Sequence, residues 1–210
     1  YTRSAARRVG LLTLVAMLVV PLLYTYSRGG YVAFLTMYAV LGVMSTRYRA
    51  ILFILLVLGA LAVPVVVPPT VVERIASTFD PRTAMLRVGG IGLEESAAKR
   101  FLVWPFIAGK WPEHPLLGFG VTGIGFIDSQ YPLVIGEVGA VGFALFVWIR
   151  WRLLAIAVRT FRTVQDPLAK GLSLGFLVGL MALLVHALTA NIFIIVRIME
   201  PFWFLAAMVM

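Results

Sequence analysis

The sequence predicts an all-α polytopic membrane protein, with about six transmembrane helices and one large extracytoplasmic loop that contains short amphipathic helices. Three observations indicate this fold class. Apolar residues make up 61% of the 210 residues and charged residues only 13%, whereas about 25% is usual in soluble domains. The apolar residues gather in runs too long for a soluble core. Six of the nine acidic residues lie in one polar stretch between two groups of these runs.

The apolar runs divide the chain into three parts, because a helix needs about 20 apolar residues to cross the hydrocarbon core. Residues 1–67 hold the first three predicted spans, residues 68–130 form the loop, and residues 131–210 hold the last three, of which the final one is truncated. The predicted spans cover residues 9–26, 31–44, 50–67, 131–149 and 171–190, and a sixth begins near residue 201.

Basic residues predict the orientation of these spans. Arginine and lysine fall on alternate connections, around residues 3–8, 47–49 and 150–170, and such connections face the cytoplasm. The loop of residues 68–130 should therefore face the periplasm or the cell exterior. The net charge of +9 does not indicate nucleic-acid binding, because orientation and anionic lipid already explain more than half of the basic residues.

Two short helices are predicted within the loop, over residues 71–77 and 94–111. Glu94 and Glu95 suit the positive end of the second helix dipole. Aromatic residues including Trp104 then recur at spacings of three and four, beside basic residues. This pattern is typical of an amphipathic helix that lies in the membrane interface.

Arg28 is the first candidate for binding an anionic ligand. It lies between two apolar runs and precedes Gly29 and Gly30. A guanidinium group offers a rigid fork of donors to phosphate, and glycine lets a ligand approach the backbone closely. The alternative is an interfacial arginine that reaches lipid phosphate.

Arg100 is the second candidate for an anion site. Trp104 follows it by four residues, so both share a helix face and the guanidinium group could lie over the indole. The alternative is the solvated face of an interfacial helix.

The segment from His114 to Gly120 contains a glycine-rich turn. Backbone amides near Gly118 and Gly120 could point at a charged ligand or at a neighbouring loop, although turn geometry alone also explains the glycines. The spacing with Gly123 and Gly125 imitates a dinucleotide fingerprint, but no strand-helix-strand pattern surrounds it.

Four further polar residues lie near the ends of predicted spans. Asp128 could accept a proton from a hydroxyl group, although a helix N-cap would explain Asp128 or Ser129 nearly as well; Tyr131 lies close by. Glu137 is about two turns inside a span, where burying an ionisable group costs free energy and such a group usually faces a polar interior. The alternative is close helix packing beside the neighbouring glycines, with Glu137 paired to an arginine. His186 either completes the polar surface or packs as an uncharged side chain.

The chain has no cysteine, and its His, Asp and Glu residues do not occur at metal-ligand spacing. We therefore predict no catalytic metal and no cofactor.

Taken together, these motifs resemble the O-antigen ligase and polymerase superfamily, in which this chain would form the C-terminal half of a longer protein. The resemblance runs over nearly the whole chain and depends on the order of the motifs. The motifs are Ser27-Arg28-Gly29-Gly30, Arg74-Ile75-Ala76-Ser77, Arg100 with Trp104, the segment from His114 to Gly120, the segment from Asp128 to Tyr131, and the segment from Glu137 to Gly142.

The resemblance implies a metal-independent membrane glycosyltransferase in the bacterial inner (plasma) membrane, with its active site facing the periplasm or exterior. It would polymerise or ligate glycans, from an undecaprenyl-diphosphate-linked donor to a sugar hydroxyl on a glycan, lipid or protein acceptor. Arg28 and Arg100 fall on the positions that bind the donor diphosphate. Asp128 stands where the ligases have the histidine of a His-Asn pair, which resembles the polymerase-like branch and makes Asp128 the implied acceptor base.

The expected site residues fall into three groups. The catalytic group is Asp128, Arg28 and Arg100; the substrate-binding group adds Trp104, Gly118, Gly120 and Tyr131; the supporting group is Glu137, His114 and His186.

Two other functions fit the same residues. A transporter or flippase of lipid-linked glycans would bind diphosphate through the same arginines without breaking a bond. Such a protein is expected to carry charges through the depth of its spans, whereas here the charges cluster outside the spans. A non-catalytic membrane subunit could dock a partner through the loop, and it would tolerate changes at Arg28 and Arg100.

Overall fold

Helices dominate the computed structural model, which describes residues 5–66, 69–76, 84–88 and 91–210. This confirms the predicted helical class. The elements in chain order are α1 (Ala5–Tyr24), α2 (Arg28–Met44), α3 (Arg49–Val66), α4 (Pro69–Ala76), β1 (Ala84–Val88), β2 (Ile91–Glu94), α5 (Glu95–Lys110), α6 (Gln130–Thr163), α7 (Pro167–His186) and α8 (Val196–Val209).

The two strands form a small antiparallel hairpin in which Val88 pairs with Ile91. The sequence analysis did not predict this hairpin, although Gly89-Gly90 between the strands is a pair typical of two-residue hairpin turns. The loop helices agree with the prediction to within about two residues, since α4 matches the first and α5 the second. Ser77 and the side chain of Arg74, from the second motif, lie outside the described part of the chain.

Two of the described helices, α6 and α7, are long and apolar enough to cross a membrane by length and composition. Helix α2 has 17 residues, or about 25 Å at 1.5 Å per residue, which is shorter than the hydrocarbon core of about 30 Å. Helices α1 and α3 contain only shorter apolar stretches among their described residues. The count of six spans therefore stays a prediction.

The fourth predicted span, residues 131–149, covers only part of α6. Helix α6 continues to Thr163, so the arginines that follow residue 149 lie on the helix and not on a connection. The reason is that apolar residues recur between these arginines at helical spacing, and Leu153 and Ala157 are buried. Helix α7 also begins earlier than predicted, at Pro167, where Asp166 caps its N-terminus by accepting a hydrogen bond from the Ala169 amide at 2.8 Å.

Helix α6 consists of two segments that meet at Gly139, whose φ of 64° and ψ of −167° are not helical. The rings of Tyr131 and Phe146 lie 6.2 Å apart. In one straight helix, 15 residues would separate them by about 22 Å. The segment before Gly139 therefore folds back beside the segment after it, and residues 140–163 alone are long enough to span a membrane.

The main core joins α6, α7 and α8. It is built from buried apolar side chains: Leu153, Ala157, Phe176, Leu177, Leu180, Phe202, Ala206 and Val209. A smaller cluster of Ile107, Ile127 and Leu133 fixes α5 and the following loop against the start of α6. The first cluster fixes α7 against α6 and α8, and the second fixes α5 against the beginning of α6.

Candidate active site

The N-terminus of α2 is built against the C-terminal end of α7. Ser27 caps α2 by accepting a hydrogen bond from the Gly30 amide at 3.1 Å. A Cβ atom on Gly29 would collide with Thr189 and would lie 3.1 Å from the His186 ring, so only glycine permits this approach. Arg28, the first residue of α2, is thereby placed beside the end of α7.

Helix α5 supplies the second arginine. The Arg100 Nη1 atom donates to the Ser96 hydroxyl at 3.1 Å, and Nη2 lies 3.6 Å from the Asp128 carboxylate. Its Nε atom is buried and has no hydrogen-bond partner among the described residues. Arg100 therefore keeps hydrogen-bonding capacity for an anionic ligand.

Next to Arg100 on α5, Lys99 and Glu95 form a separate ion pair. The Lys99 Nζ atom donates to Glu95 at 2.5 Å. This hydrogen bond, followed by the charge of Lys99, lowers the pKa of the exposed Glu95 carboxyl group, because both favour the ionised form. Glu95 is thus paired with Lys99, and Asp128 is the acid that faces Arg100.

Hydrogen bonds to the α7 end fix the backbone around Asp128. The hydroxyl group of the buried Ser129 donates to the Leu188 carbonyl at 3.0 Å, and the Asn191 side-chain amide donates to the Ile127 carbonyl at 2.5 Å. Ser129 is the N-cap of α6, but its side chain makes no capping bond. Asp128 itself projects outward with 54% of its side chain exposed, so the N-cap explanation does not account for it.

A small polar cavity of about 100 Å³ lies where these elements meet. It brings together Arg28 and Arg100, which the sequence predicted, with His186. Its lining residues are Tyr26, Ser27, Arg28, Gly29, Ser96, Arg100, His186, Thr189 and Ala190. We call this cavity the arginine pocket.

A larger groove of about 650 Å³ lies next to the arginine pocket and shares Arg100 and Ser96 with it. Its size is within the range of about 300 to 1,000 Å³ that is usual for ligand sites. The groove is lined by Glu95, Ser96, Lys99, Arg100, Leu102, Val103, Phe106, Phe126, Ile127 and Asp128. We call it the Asp128 groove.

Another depression, of about 490 Å³, lies on the second segment of α6 and is lined mostly by apolar side chains such as Trp151 and Leu154. It contains none of the predicted site residues. Arg28, Arg100, His186 and Asp128 line the pocket and the groove instead.

The glycine-rich turn does not contribute to either cavity. The amides of Phe119 and Gly120 donate to the carbonyls of Gly136 and Glu137, each at 2.9 Å. Gly118 has a φ of +70°, and a Cβ atom there would collide with the Glu137 backbone. The turn is therefore bonded into the break of α6, and these amides face that helix instead of a ligand or a neighbouring loop.

Glu137 holds the same turn from the helix side. Its carboxylate accepts a hydrogen bond from the Thr122 amide at 2.7 Å. Thr122 has a positive φ of 63°, which is rare for a residue with a branched Cβ. The position predicted for Glu137, beside glycines, is correct, but its recorded partner is this backbone amide and not an arginine.

Two other predicted residues, Trp104 and His114, lie apart from both cavities. Trp104 is exposed on α5, and the Arg100 guanidinium group turns toward Ser96 and Asp128 instead of lying over its ring. His114 is exposed and packs edge-on against Phe119, with ring centroids 4.7 Å apart.

The Tyr131 hydroxyl group is already used within the fold. It donates to the Leu184 carbonyl at 2.6 Å, which ties the start of α6 to the end of α7. Tyr131 therefore supports the placement of Asp128 from three residues away.

His186 lines the arginine pocket together with the two arginines, so of its two predicted roles the structure favours the part in the polar surface. A single histidine at the end of an apolar run carries little local signal. The sequence feature that could have indicated this contact is Gly29, because its lack of a side chain lets α2 approach His186.

No group of three potential metal ligands occurs among the described residues. A metal-free mechanism stays a prediction. The two arginines are the cationic groups that could take the place of a metal ion beside a phosphate.

The comparison with known families decides the assignment. The family model described as O-Antigen ligase matches residues 12–137, more than half of the chain. The chain belongs to the O-antigen ligase family. The match includes Arg28, Arg100 and Asp128 and ends at Glu137, whereas His186 lies beyond it. No curated protein matches the chain.

Membership of the O-antigen ligase family, together with the apolar helices, identifies a membrane protein of ligase- or polymerase-type glycan processing. Lipid-linked glycans are the general class of substrate that this family implies.

Proposed function

We propose that this chain carries the active site of a glycosyltransferase that moves a glycan from an undecaprenyl-diphosphate-linked donor to a sugar hydroxyl. The observation that supports this most strongly is the convergence of Arg28, Arg100 and His186 on one small polar pocket. Arg28 and Arg100 are 72 positions apart in sequence, yet both reach the end of α7. A pocket with two guanidinium groups suits a diphosphate.

The proposed reaction follows from the positions of the two cavities. The acceptor hydroxyl oxygen attacks the anomeric carbon of the donor sugar, and the bond from that carbon to the diphosphate oxygen breaks. Asp128 takes the hydroxyl proton, and the bonding electrons remain on the departing diphosphate. Arg28 and Arg100 stabilise that negative charge without a metal ion.

The difference in size between the cavities supports this division. The arginine pocket, at about 100 Å³, has room for about three water molecules at about 30 Å³ each. It therefore has room for only part of a diphosphate, and the rest would extend toward the groove that shares Arg100. The Asp128 groove, at about 650 Å³, has room for a sugar and carries the carboxylate.

The proposed setting is the outer face of the bacterial inner membrane. In this arrangement the chain crosses the membrane several times, residues 68–130 lie outside, and the acceptor is a growing glycan, a lipid or a protein. Asp128 in place of the ligase histidine favours the polymerase-like branch.

A transfer assay with purified protein and a lipid-diphosphate-linked glycan tests the proposal. We expect a new glycosidic product and free polyprenyl diphosphate, with Arg28→Ala strongly reducing both. Arg152→Ala is the matched control, since Arg152 is exposed on α6 and lies outside the pocket and the groove.

Two outcomes would contradict the proposed function. Transport of the intact lipid-linked glycan across vesicles, with no new glycosidic bond, would support a flippase. Equal activity of wild type, Arg28→Ala and Arg152→Ala would remove the diphosphate role of the pocket.

A further inference from the structure

Arg100 is shared by the arginine pocket and the Asp128 groove, so one guanidinium group faces both proposed substrates. Its Nη2 atom lies 3.6 Å from the Asp128 carboxylate, and its Nη1 atom is bonded to Ser96. Asp128 therefore lies against the same atom that would meet a phosphate oxygen of the donor.

The ion pair between Arg100 and Asp128 is weak enough to be displaced. Its 3.6 Å separation exceeds the distance of about 2.7 to 2.9 Å that is typical of a charge-assisted hydrogen bond. The two side chains are 32% and 54% exposed, and pairs this exposed contribute about 0.2 to 1 kcal/mol. A diphosphate carries more charge and can meet the guanidinium fork at two oxygens.

We propose that Asp128 occupies Arg100 in the empty site and that the donor diphosphate displaces it, so that the donor binds before the acceptor. The inference rests on the proposed function. Before donor binding, the Asp128 carboxylate lines the groove but is paired with Arg100. After displacement, the carboxylate no longer faces Arg100 and accepts the proton of the acceptor hydroxyl.

The neighbouring acidic residue supplies a control for this competition. Glu95 lines the same groove but is paired with Lys99. Glu95→Gln and Asp128→Asn therefore remove the same charge from the same groove, and only Asp128→Asn removes the competitor for Arg100.

The test is the affinity of purified full-length protein in detergent for inorganic pyrophosphate, measured by calorimetry with a chelator present. Removing a pair worth about 0.2 to 1 kcal/mol should tighten binding by up to about fivefold. We expect Asp128→Asn and Asp128→Ala to bind pyrophosphate about twofold to fivefold more tightly than wild type. Glu95→Gln should bind like wild type at a salt concentration that screens distant charges.

Failure of this inference can be distinguished from failure of the proposed function. Pyrophosphate binding that Arg100→Gln weakens but the Asp128 variants do not tighten would overturn the competition alone. Equal tightening by Glu95→Gln would also overturn it, because the effect would then be general electrostatics. An Arg100→Gln affinity equal to that of wild type would overturn both the competition and the diphosphate role of the pocket.

Discussion

The arginine pocket and the Asp128 groove differ in how the chain builds them. The pocket lies between ends of long helices, where α2 begins and α7 finishes, and a close glycine contact fixes it. The groove lies between α5 and the segment before α6, with Phe126 exposed at 88%. A fixed pocket suits a diphosphate that is the same in every donor, whereas an open groove suits a sugar that varies between substrates.

Arg100 lines both regions, so substitutions can distinguish the role of the pocket from that of the groove. Arg28 and His186 line only the pocket, whereas Asp128 lines only the groove. Substitutions in one region should therefore alter a different kinetic constant from substitutions in the other.

The largest expected effect is the loss of the proton acceptor in the groove. Asp128→Asn should lower kcat by about 100-fold to 10,000-fold, the range typical of general-base catalysis. Donor binding should persist or tighten, because the amide no longer competes as a charge for Arg100. Single-turnover rates with a saturating donor measure this effect, and an unchanged rate would mean that Asp128 is not the base.

The two arginines should separate the pocket from the groove. Arg28→Ala and Arg100→Ala should each lower donor use by about tenfold to a thousandfold, as expected for losing one charge-stabilising group. Only Arg100→Ala should also raise the acceptor KM, because only Arg100 reaches the groove. Lysine should rescue each variant in part, since it retains the charge but loses the planar fork.

The kinetic comparison fails if the two alanine variants give the same pattern. An unchanged acceptor KM in Arg100→Ala would mean that the groove does not bind the acceptor beside this arginine. Membrane insertion and expression of both variants are the required controls.

The sequence predicted the parts of the site that carry a local signal. Arg28 and Arg100 were predicted as anion ligands from the adjacent Gly29-Gly30 pair and from the spacing to Trp104, and the structure brings both arginines into one pocket. The sequence left two alternatives for His186, a part of the polar surface or a packing side chain, and could not decide between them because the contact depends on how closely α2 packs against α7. Gly118 and Gly120 were assigned to substrate, whereas their turn bonds to α6 through backbone atoms that leave no side-chain pattern.

The fold, like the site, was predicted only where the sequence carries a local pattern. Apolar periodicity predicted the helical class and the loop helix α5 to within a residue at each end. It did not predict the reversal at Gly139, since the apolar pattern continues on both sides of the break. The turn that fills the break is held by long-range backbone hydrogen bonds, such as the 2.9 Å bond from the Ala140 amide to the Pro115 carbonyl.

A smaller effect on stability should distinguish two glycines of this turn. Both Gly118 and Gly120 have positive φ angles, but a Cβ atom on Gly118 would collide with the Glu137 backbone, whereas one on Gly120 would meet nothing within 4 Å. Gly120→Ala should cost about 1 to 2 kcal/mol from its backbone conformation alone. Gly118→Ala should lower the free energy of unfolding further, as measured by thermal unfolding in detergent, and equal losses would mean that the turn does not pack into α6.

The substitutions that test the topology should have the smallest effect on activity. The chain has no cysteine, so Glu113→Cys and Gln165→Cys each introduce a single label site at an exposed position. An impermeant thiol reagent added to intact cells should modify the first and not the second. The reverse labelling would place the site in the cytoplasm and contradict the proposed orientation.

The central claim is that two arginines stabilise the departing diphosphate without a divalent ion. The most direct measurement is glycan transfer by purified wild-type protein from a lipid-diphosphate donor, with and without an excess of chelator. The account predicts equal rates under both conditions and a strong loss in Arg28→Ala. Transfer that the chelator abolishes and that magnesium or manganese restores would contradict it.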